Sequence, residues 1–240
     1  MKQILLGSIS QIGKHHLKND IVCQDAAIAV QNERLTILAL SDGMGSCRHA
    51  ELGAQFVISY IQENAQEIYD QLVDCFNKTS LRTMNEVLSQ MRLEASEYAD
   101  SFNATINDLD CTLSFAILGP KYMMAASIGD SPLYIKSKDE FLHLDGNIGI
   151  EPGNISYSAY DPDLSMMDVY AGPADDIQAI LIMSDGCLGF SKKDSLDDMA
   201  TDFPSWFYDI IQGKLSARKA IQKLVAKGYD DCSFSYYSKM

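Results

Sequence analysis

The string Ser-Asp-Gly occurs twice in this chain, each time directly behind a run of apolar residues. Leu38-Ala39-Leu40 leads into Ser41-Asp42-Gly43-Met44-Gly45, and Ile182-Met183 leads into Ser184-Asp185-Gly186. Short apolar runs closed by turn residues read as buried strands. Asp130 sits in Ile128-Gly129-Asp130-Ser131, Asp25 opens a strand, and Asp230-Asp231 precedes the last one. Acids therefore mark five strand termini. Any one of them is explained by the ordinary preference of turns for Asp and Gly. Their shared context says more. A carboxylate set just behind a buried strand is held rigidly, and a following Gly lets backbone approach a ligand. Several carboxylates brought together repel one another unless cations neutralise them. Hard divalent ions with oxygen ligands, Mg²⁺ or Mn²⁺, suit that need.

Between these acids the pattern runs from strands to helices and back to strands. Asp25 to Val30 and Leu35 to Leu40 read as a hairpin joined by Gln31-Asn32-Glu33-Arg34. Gly53, Phe56, Val57, Tyr60 and Ile61 recur at helical spacing, so a helix should begin near Arg48. Leu81, Met84, Leu88, Met91, Ala95 and Tyr98 form the stripe of a second helix. Three strands follow, Cys111 to Leu118, Tyr122 to Ile128 and Pro132 to Ile135, with Gly119-Pro120 and Gly129-Asp130 as turns. The Gly-, Pro- and Asp-rich stretch 145–176 reads as an irregular flap. After the strand Ala179 to Met183, helices are expected over Leu196 to Ile211 and Ala217 to Val225, then a closing strand from Cys232 to Tyr237. This order predicts an α+β fold with two sheets sandwiched between helices.

With 240 residues, 47% of them apolar, the chain can bury one large core, and residues 1–240 read as a single domain. Its 33 acids against 19 Lys and Arg give a net charge of −14. That is a poor match to nucleic acid or an anionic membrane, both of which need clustered cations. No apolar run approaches the roughly 18–20 residues that span a bilayer, and Met1 to Gly7 is too short for a signal peptide. A cytoplasmic chain is expected. The six cysteines lie far apart without a CxxC pair, which argues against a disulfide framework or a structural zinc site.

The strings Gln24-Asp25-Ala26, Ser41-Asp42-Gly43-Met44-Gly45, Gly129-Asp130-Ser131, Ser184-Asp185-Gly186 and Asp230-Asp231-Cys232-Ser233 occur in that order. As a series they resemble the metal-dependent protein phosphatases, the PPM or type 2C Ser/Thr phosphatases, over roughly Gly13 to Tyr237. The opening Gly13-Lys14-His15-His16 with Cys23-Gln24-Asp25 is similar to a bacterial subgroup with a Gly-x-x-His … Cys-Gln-Asp start. The resemblance implies a four-layer α-β-β-α sandwich with two central, mainly antiparallel sheets, and a cleft at one end holding two, and in the bacterial branch three, Mg²⁺ or Mn²⁺ ions. Asp42 would be shared by two ions, with the Gly43 carbonyl on one of them. Asp185 and Asp230 would complete the first shell, and Asp25 would act on the second ion, directly or through water. Asp130 with Asp185 would hold the weaker third ion. Asp231 stands where the family often has Asn, so the ligand role goes to Asp230.

The implied reaction is hydrolysis of phosphoserine and phosphothreonine by a water activated between two ions, with no covalent intermediate. The implied partner is a phosphorylated protein, the product of a Ser/Thr kinase. Three departures stand out. Gln24 replaces the Glu of many relatives. Met44 replaces a His that some relatives use as general acid, and a thioether cannot donate a proton. Asp20 occupies the place of the usual phosphate-binding Arg. His16 is therefore the expected catalytic proton donor or phosphate ligand, with Lys18 as a second phosphate-binding candidate and Arg48 a weaker one. Cys23 and Cys232, each two residues from an expected ligand, read as packing residues before redox ones. Two other readings stay open: a non-catalytic phosphoprotein-binding relative, and a small-molecule phosphatase on the same fold. The sequence leaves the oligomeric state open.

Overall fold

The computed structural model describes residues 4–75, 80–146, 157–161, 167–188 and 202–239. Strand β1 (Leu5–Gln11) leads into a short helix α1 (Lys14–Lys18), then into the hairpin of β2 (Ala26–Gln31) and β3 (Thr36–Ser41). Two long helices follow, α2 (Ala50–Cys75) and α3 (Ser80–Asp100). Strands β4 (Leu113–Leu118), β5 (Tyr122–Lys136), β6 (Phe141–Gly146), β7 (Asp168–Pro173) and β8 (Ala179–Met183) come next. Helices α4 (Ser205–Ile211) and α5 (Ala217–Lys227) precede the last strand, β9 (Cys232–Ser238).

Every pairing among these strands is antiparallel. Strand order is β1-β9-β8-β5-β4-β3-β2, with β6 and β7 also on β5. The 15-residue β5 is the hinge of this arrangement. Its first half pairs with β4 and β7, its second half with β6 and β8. The sequence reading put a turn at Gly129-Asp130. The structure corrects this to a bulge: the register shifts between Gly129 and Leu133, and the chain bends without reversing. Gly129 has φ +91, a conformation that only Gly adopts at little cost.

Continuous apolar sequence leaves β3 and β8 without a polar face. In β3, Ile37 and Ala39 pack under α2 and α3, while Leu38 and Leu40 face the other way. In β8, Leu181 and Met183 join Phe207, Ile221 and Leu224 beneath α4 and α5. Its Ile180 and Ile182 meet Leu38, Leu40 and Ala116 in a third cluster between the two groups of strands. Ser235 of β9 donates to the Ala39 carbonyl of β3 at 3.0 Å across that interface. Strands covered on both faces read as continuous apolar runs, which is how β3 and β8 looked in the sequence.

Other expectations shift by local chemistry. The helix expected near Arg48 starts at Ala50. The one expected from Leu196 starts at Ser205, because Pro204 disfavours helical backbone at Phe203; residues 196–201 lie outside the described residues. Within the expected flap, β7 is a regular strand on β5. Tyr160 donates to the Gly53 carbonyl at 3.2 Å, and Arg92 to the Asp161 carbonyl at 2.7 Å, so 157–161 is docked on the long helices. Residues 147–156 and 162–166 lie outside the described residues. Among those described, no helix is long and apolar enough to cross a membrane.

Candidate functional site

A cavity of about 550 Å³ opens where β3, β5, β8 and β9 all terminate or bend. Asp42, Asp130, Asp185 and Asp230 line it together with the Gly43 backbone. The sequence spreads these four acids over 189 positions, 42 to 230; strand ends gather them. Asp42 is fixed from both sides. Its amide donates to Thr112 Oγ1 at 2.9 Å and its carbonyl accepts from the Thr112 amide at 2.8 Å. Thr112 Oγ1 lies 2.8 Å from Ser131 Oγ on the bulge, which ties the Asp42 turn to the Asp130 strand. The Gly43 amide donates to the Gln24 carbonyl at 3.2 Å, bringing Gln24 onto the cavity wall.

Asp25 sits behind this floor, 8% exposed, and is not among the cavity-lining residues. Its Oδ2 accepts from Ser184 Oγ at 2.8 Å, so the residue before Asp185 holds it in place. Its Oδ1 is buried with no hydrogen-bond partner. Burial above all, with the nearby Asp231 charge, raises the Asp25 carboxyl to about 7 against the lowering effect of Ser184 and Ser233. Asp42 is pushed well above the ordinary carboxylate range by burial and then by Asp25, Asp185 and Asp130. Asp185 rises to about 6 through loss of hydration and the charges of Asp130 and Asp230. Mutually repelling oxygens, one of them buried without a donor, form a donor set that hard cations complete. The residues present fit a hard divalent cation on this observation.

Asp231 has the opposite environment. It is 2% exposed and accepts three hydrogen bonds: Gly13 amide to Oδ1 at 2.6 Å, Gln24 amide to Oδ2 at 2.7 Å, and His16 Nδ1 to Oδ2 at 2.9 Å. Gly13 is required by this contact, since a Cβ there would stand 2.2 Å from the Asp230 carbonyl. His16, buried on α1, lines the cavity with its Nδ1 tied to Asp231. His16, Asp230 and Asp231 bring ligand-type atoms within 4.8 Å of one another. With both Asp231 oxygens taken by protein donors, Asp230 is the carboxylate of this group that is left for a ligand.

The other cations near the cleft are not gathered there. Lys18 is exposed on α1 and absent from the cavity lining, Lys14 donates its ammonium to the Ala226 carbonyl, and Arg48 is exposed ahead of α2. Asp20 is exposed with φ +56. Burial, with Asp25 and Asp231, pushes the Cys23 thiol far up, so it is no thiolate at neutral pH. Buried Cys232 donates to the Gly186 carbonyl at 3.0 Å. His15, Ile21, Met44, Ser46, Thr112 and Tyr229 also line the cavity. Of these, the sequence reading placed only Met44 at the site, where some relatives have a general acid. A local signal exists only for Met44 and Ser46, which adjoin the Asp42 turn.

Residues 12–226 match the protein phosphatase 2C family. Among solved structures, the chain is similar to the serine/threonine phosphatase Stp1 from Staphylococcus aureus, with TM-score 0.61 and 17% identity over 99% of this chain and 95% of that one. It is also similar to PppA, a key regulatory component of T6SS in Pseudomonas aeruginosa, with TM-score 0.65 and 15% identity over 98% and 97%. A C. elegans sex determining protein is similar at TM-score 0.62 and 15% identity, over 100% of this chain and 66% of that one. No curated protein matches the sequence.

Proposed function

Because the chain belongs to the protein phosphatase 2C family, we propose that it is a Mg²⁺- or Mn²⁺-dependent phosphatase acting on phosphoserine and phosphothreonine in proteins. The observation that carries this reading is the meeting of Asp42, Asp130, Asp185 and Asp230 in one cavity, with the unpartnered Asp25 oxygen immediately behind it. Asp42, Asp185, Asp230 and the Gly43 carbonyl would hold one pair of ions, Asp25 would act on the second of them, and Asp130 with Asp185 would hold a weaker third. When bound, such ions supply a water of lowered pKa and neutralise charge on the phosphoryl oxygens.

The chain's own residues do the rest. The Ser184 hydroxyl fixes Asp25, and Thr112 fixes the Asp42 turn, so the acids are preorganised before any ligand arrives. Met44 cannot protonate the leaving alkoxide; His16, which lines the cavity and is anchored by Asp231, has suitable chemistry. Its Nε2 would carry that proton, or hold the substrate phosphate; Lys18, outside the lining, would contribute only to a longer-range field. A phosphorylated protein made by a Ser/Thr kinase is the proposed partner, in the cytoplasm. Residues 1–240 would act as one domain, its two groups of strands stacked as a four-layer sandwich.

Phosphate release from a phosphopeptide and from p-nitrophenyl phosphate, with and without Mn²⁺, tests the proposal on wild type and Asp185→Asn. Chelator-sensitive turnover, lowered at least about a hundredfold in the variant, is the expected result. Metal binding without turnover would favour a phosphoprotein-binding role. Turnover confined to small phosphates would favour a metabolite substrate.

A further inference from the structure

Six large apolar side chains are exposed among the described residues: Ile4, Leu17, Ile21, Val22, Leu93 and Tyr229. Four of them belong to two segments that meet at the cavity mouth. The His15 amide donates to the Tyr229 carbonyl at 2.9 Å, and the Ile21 amide to the His16 carbonyl at 3.0 Å, which fastens 17–22 and 229 to the wall that carries His16. Ile21 and Tyr229 line the cavity itself. Leu17 and Val22 belong to the same fastened segment and are 58% and 57% exposed, and Tyr229 is 80% exposed. An acidic cavity is thus flanked on one side by a rim that water does not favour. Isolated surface apolar residues need no explanation, but a cluster continuous with a binding cavity marks a contact surface.

We propose that this rim, Leu17, Ile21, Val22 and Tyr229, receives a large apolar side chain lying one to three residues from the phosphorylated Ser or Thr of the substrate. The inference rests on the phosphatase reading and narrows its substrate class. Continuity with the cavity selects the occupant. An extended peptide advances about 3.3 Å per residue, so a neighbour of a phosphoresidue seated in the cavity falls on the adjoining rim. Charge agrees at the cavity itself: four aspartates line it, so an acidic neighbour turned toward it is repelled, whereas an apolar neighbour on the rim gains by desolvation.

The test compares two phosphopeptides, one with Leu or Phe beside the phosphoserine and one with Gly there, on the full chain and on Leu17→Ser/Val22→Ser. Both positions are exposed, so the change opens no core cavity. For wild type, kcat/KM is expected to favour the apolar peptide by about tenfold, mostly through KM. The variant should lose that preference while keeping its rate on p-nitrophenyl phosphate, which is too small to reach the rim. Equal wild-type rates on both peptides, or an equal loss on all substrates in the variant, would overturn the proposal. So would concentration-dependent dimerisation abolished by the variant, which would make the rim a self-association surface. A fall in thermal midpoint without a change in peptide preference overturns it too, pointing to cover by the chain itself. Should wild type hydrolyse nothing, the phosphatase reading fails separately. Fluorescence anisotropy of the same two peptides then decides the rim, a preference lost in the variant supporting it and no preference overturning it.

Discussion

Two aspartates are withdrawn from water at this site, and their surroundings are opposite. Around Asp231 the protein supplies two backbone amides and an imidazole, so the carboxylate is saturated and binds the N-terminal segment to the start of β9. Around Asp25 it supplies one serine hydroxyl within hydrogen-bond range, leaves Oδ1 bare and adds more carboxylates. The wall is complete as folded, whereas the floor lacks donors of its own and would be completed by something positive. Burial alone therefore does not distinguish a structural acid from a binding one; what distinguishes them is whether the chain has provided enough donors.

The sharpest way to break this contrast is to remove one acid from each region and measure stability without metal. Asp231→Ala strands two amides and His16, and should cost about 3 kcal/mol in urea unfolding with chelator present. Asp42→Asn removes one of several repelling charges, and the same measurement should show no loss or a gain. If both variants lose stability equally, the floor is as self-sufficient as the wall and the argument for cations there collapses.

A smaller effect sharpens the role of the wall. His16→Ala should lower turnover on a phosphoserine peptide at least about tenfold, near 1.4 kcal/mol of barrier. The loss on p-nitrophenyl phosphate should be smaller, because nitrophenolate leaves without a proton while an alkoxide does not. Equal losses on the two substrates would assign His16 to phosphate binding instead of proton donation. An unchanged rate on both would remove it from the chemistry.

How much of this was legible in the sequence follows the same division. Asp42, Asp130, Asp185 and Asp230 were readable because each adjoins an apolar run whose strand character is local. The bulge at Gly129 was misread as a turn, since both use the same residues and differ only in what pairs on either side. Strand β1 escaped notice because its Ser- and Gly-containing pattern becomes a strand only by pairing with β9, at the far end of the chain. The Asp231 contacts span 207 to 218 positions, and no local pattern announces such a partner. Lys18 looked suitable by charge and proximity, but a five-residue helix turns His16 inward and Lys18 outward, a choice that packing makes. Strings at strand ends give the floor of the site, while the wall depends on which distant segments dock.

The smallest expected effect concerns pH, and its sign tests the floor. Asp25 has its carboxyl raised to about 7, against 3.8 ordinarily, and Asp185 to about 6. Between the unfolded and folded values the native protein binds more protons than the unfolded chain, so stability falls as pH rises through that window. For Asp25 alone, going from pH 8 to pH 6 should return roughly 1 kcal/mol to the metal-free protein, a rise of about 2–4 °C in thermal midpoint. Saturating Mn²⁺ should flatten this dependence, because ions at the floor stabilise the ionised carboxylates that protonation would otherwise neutralise. A midpoint that falls on acidification from pH 8 to pH 6, or one that rises equally with and without Mn²⁺, would mean that the floor is not where the folded chain stores its electrostatic strain.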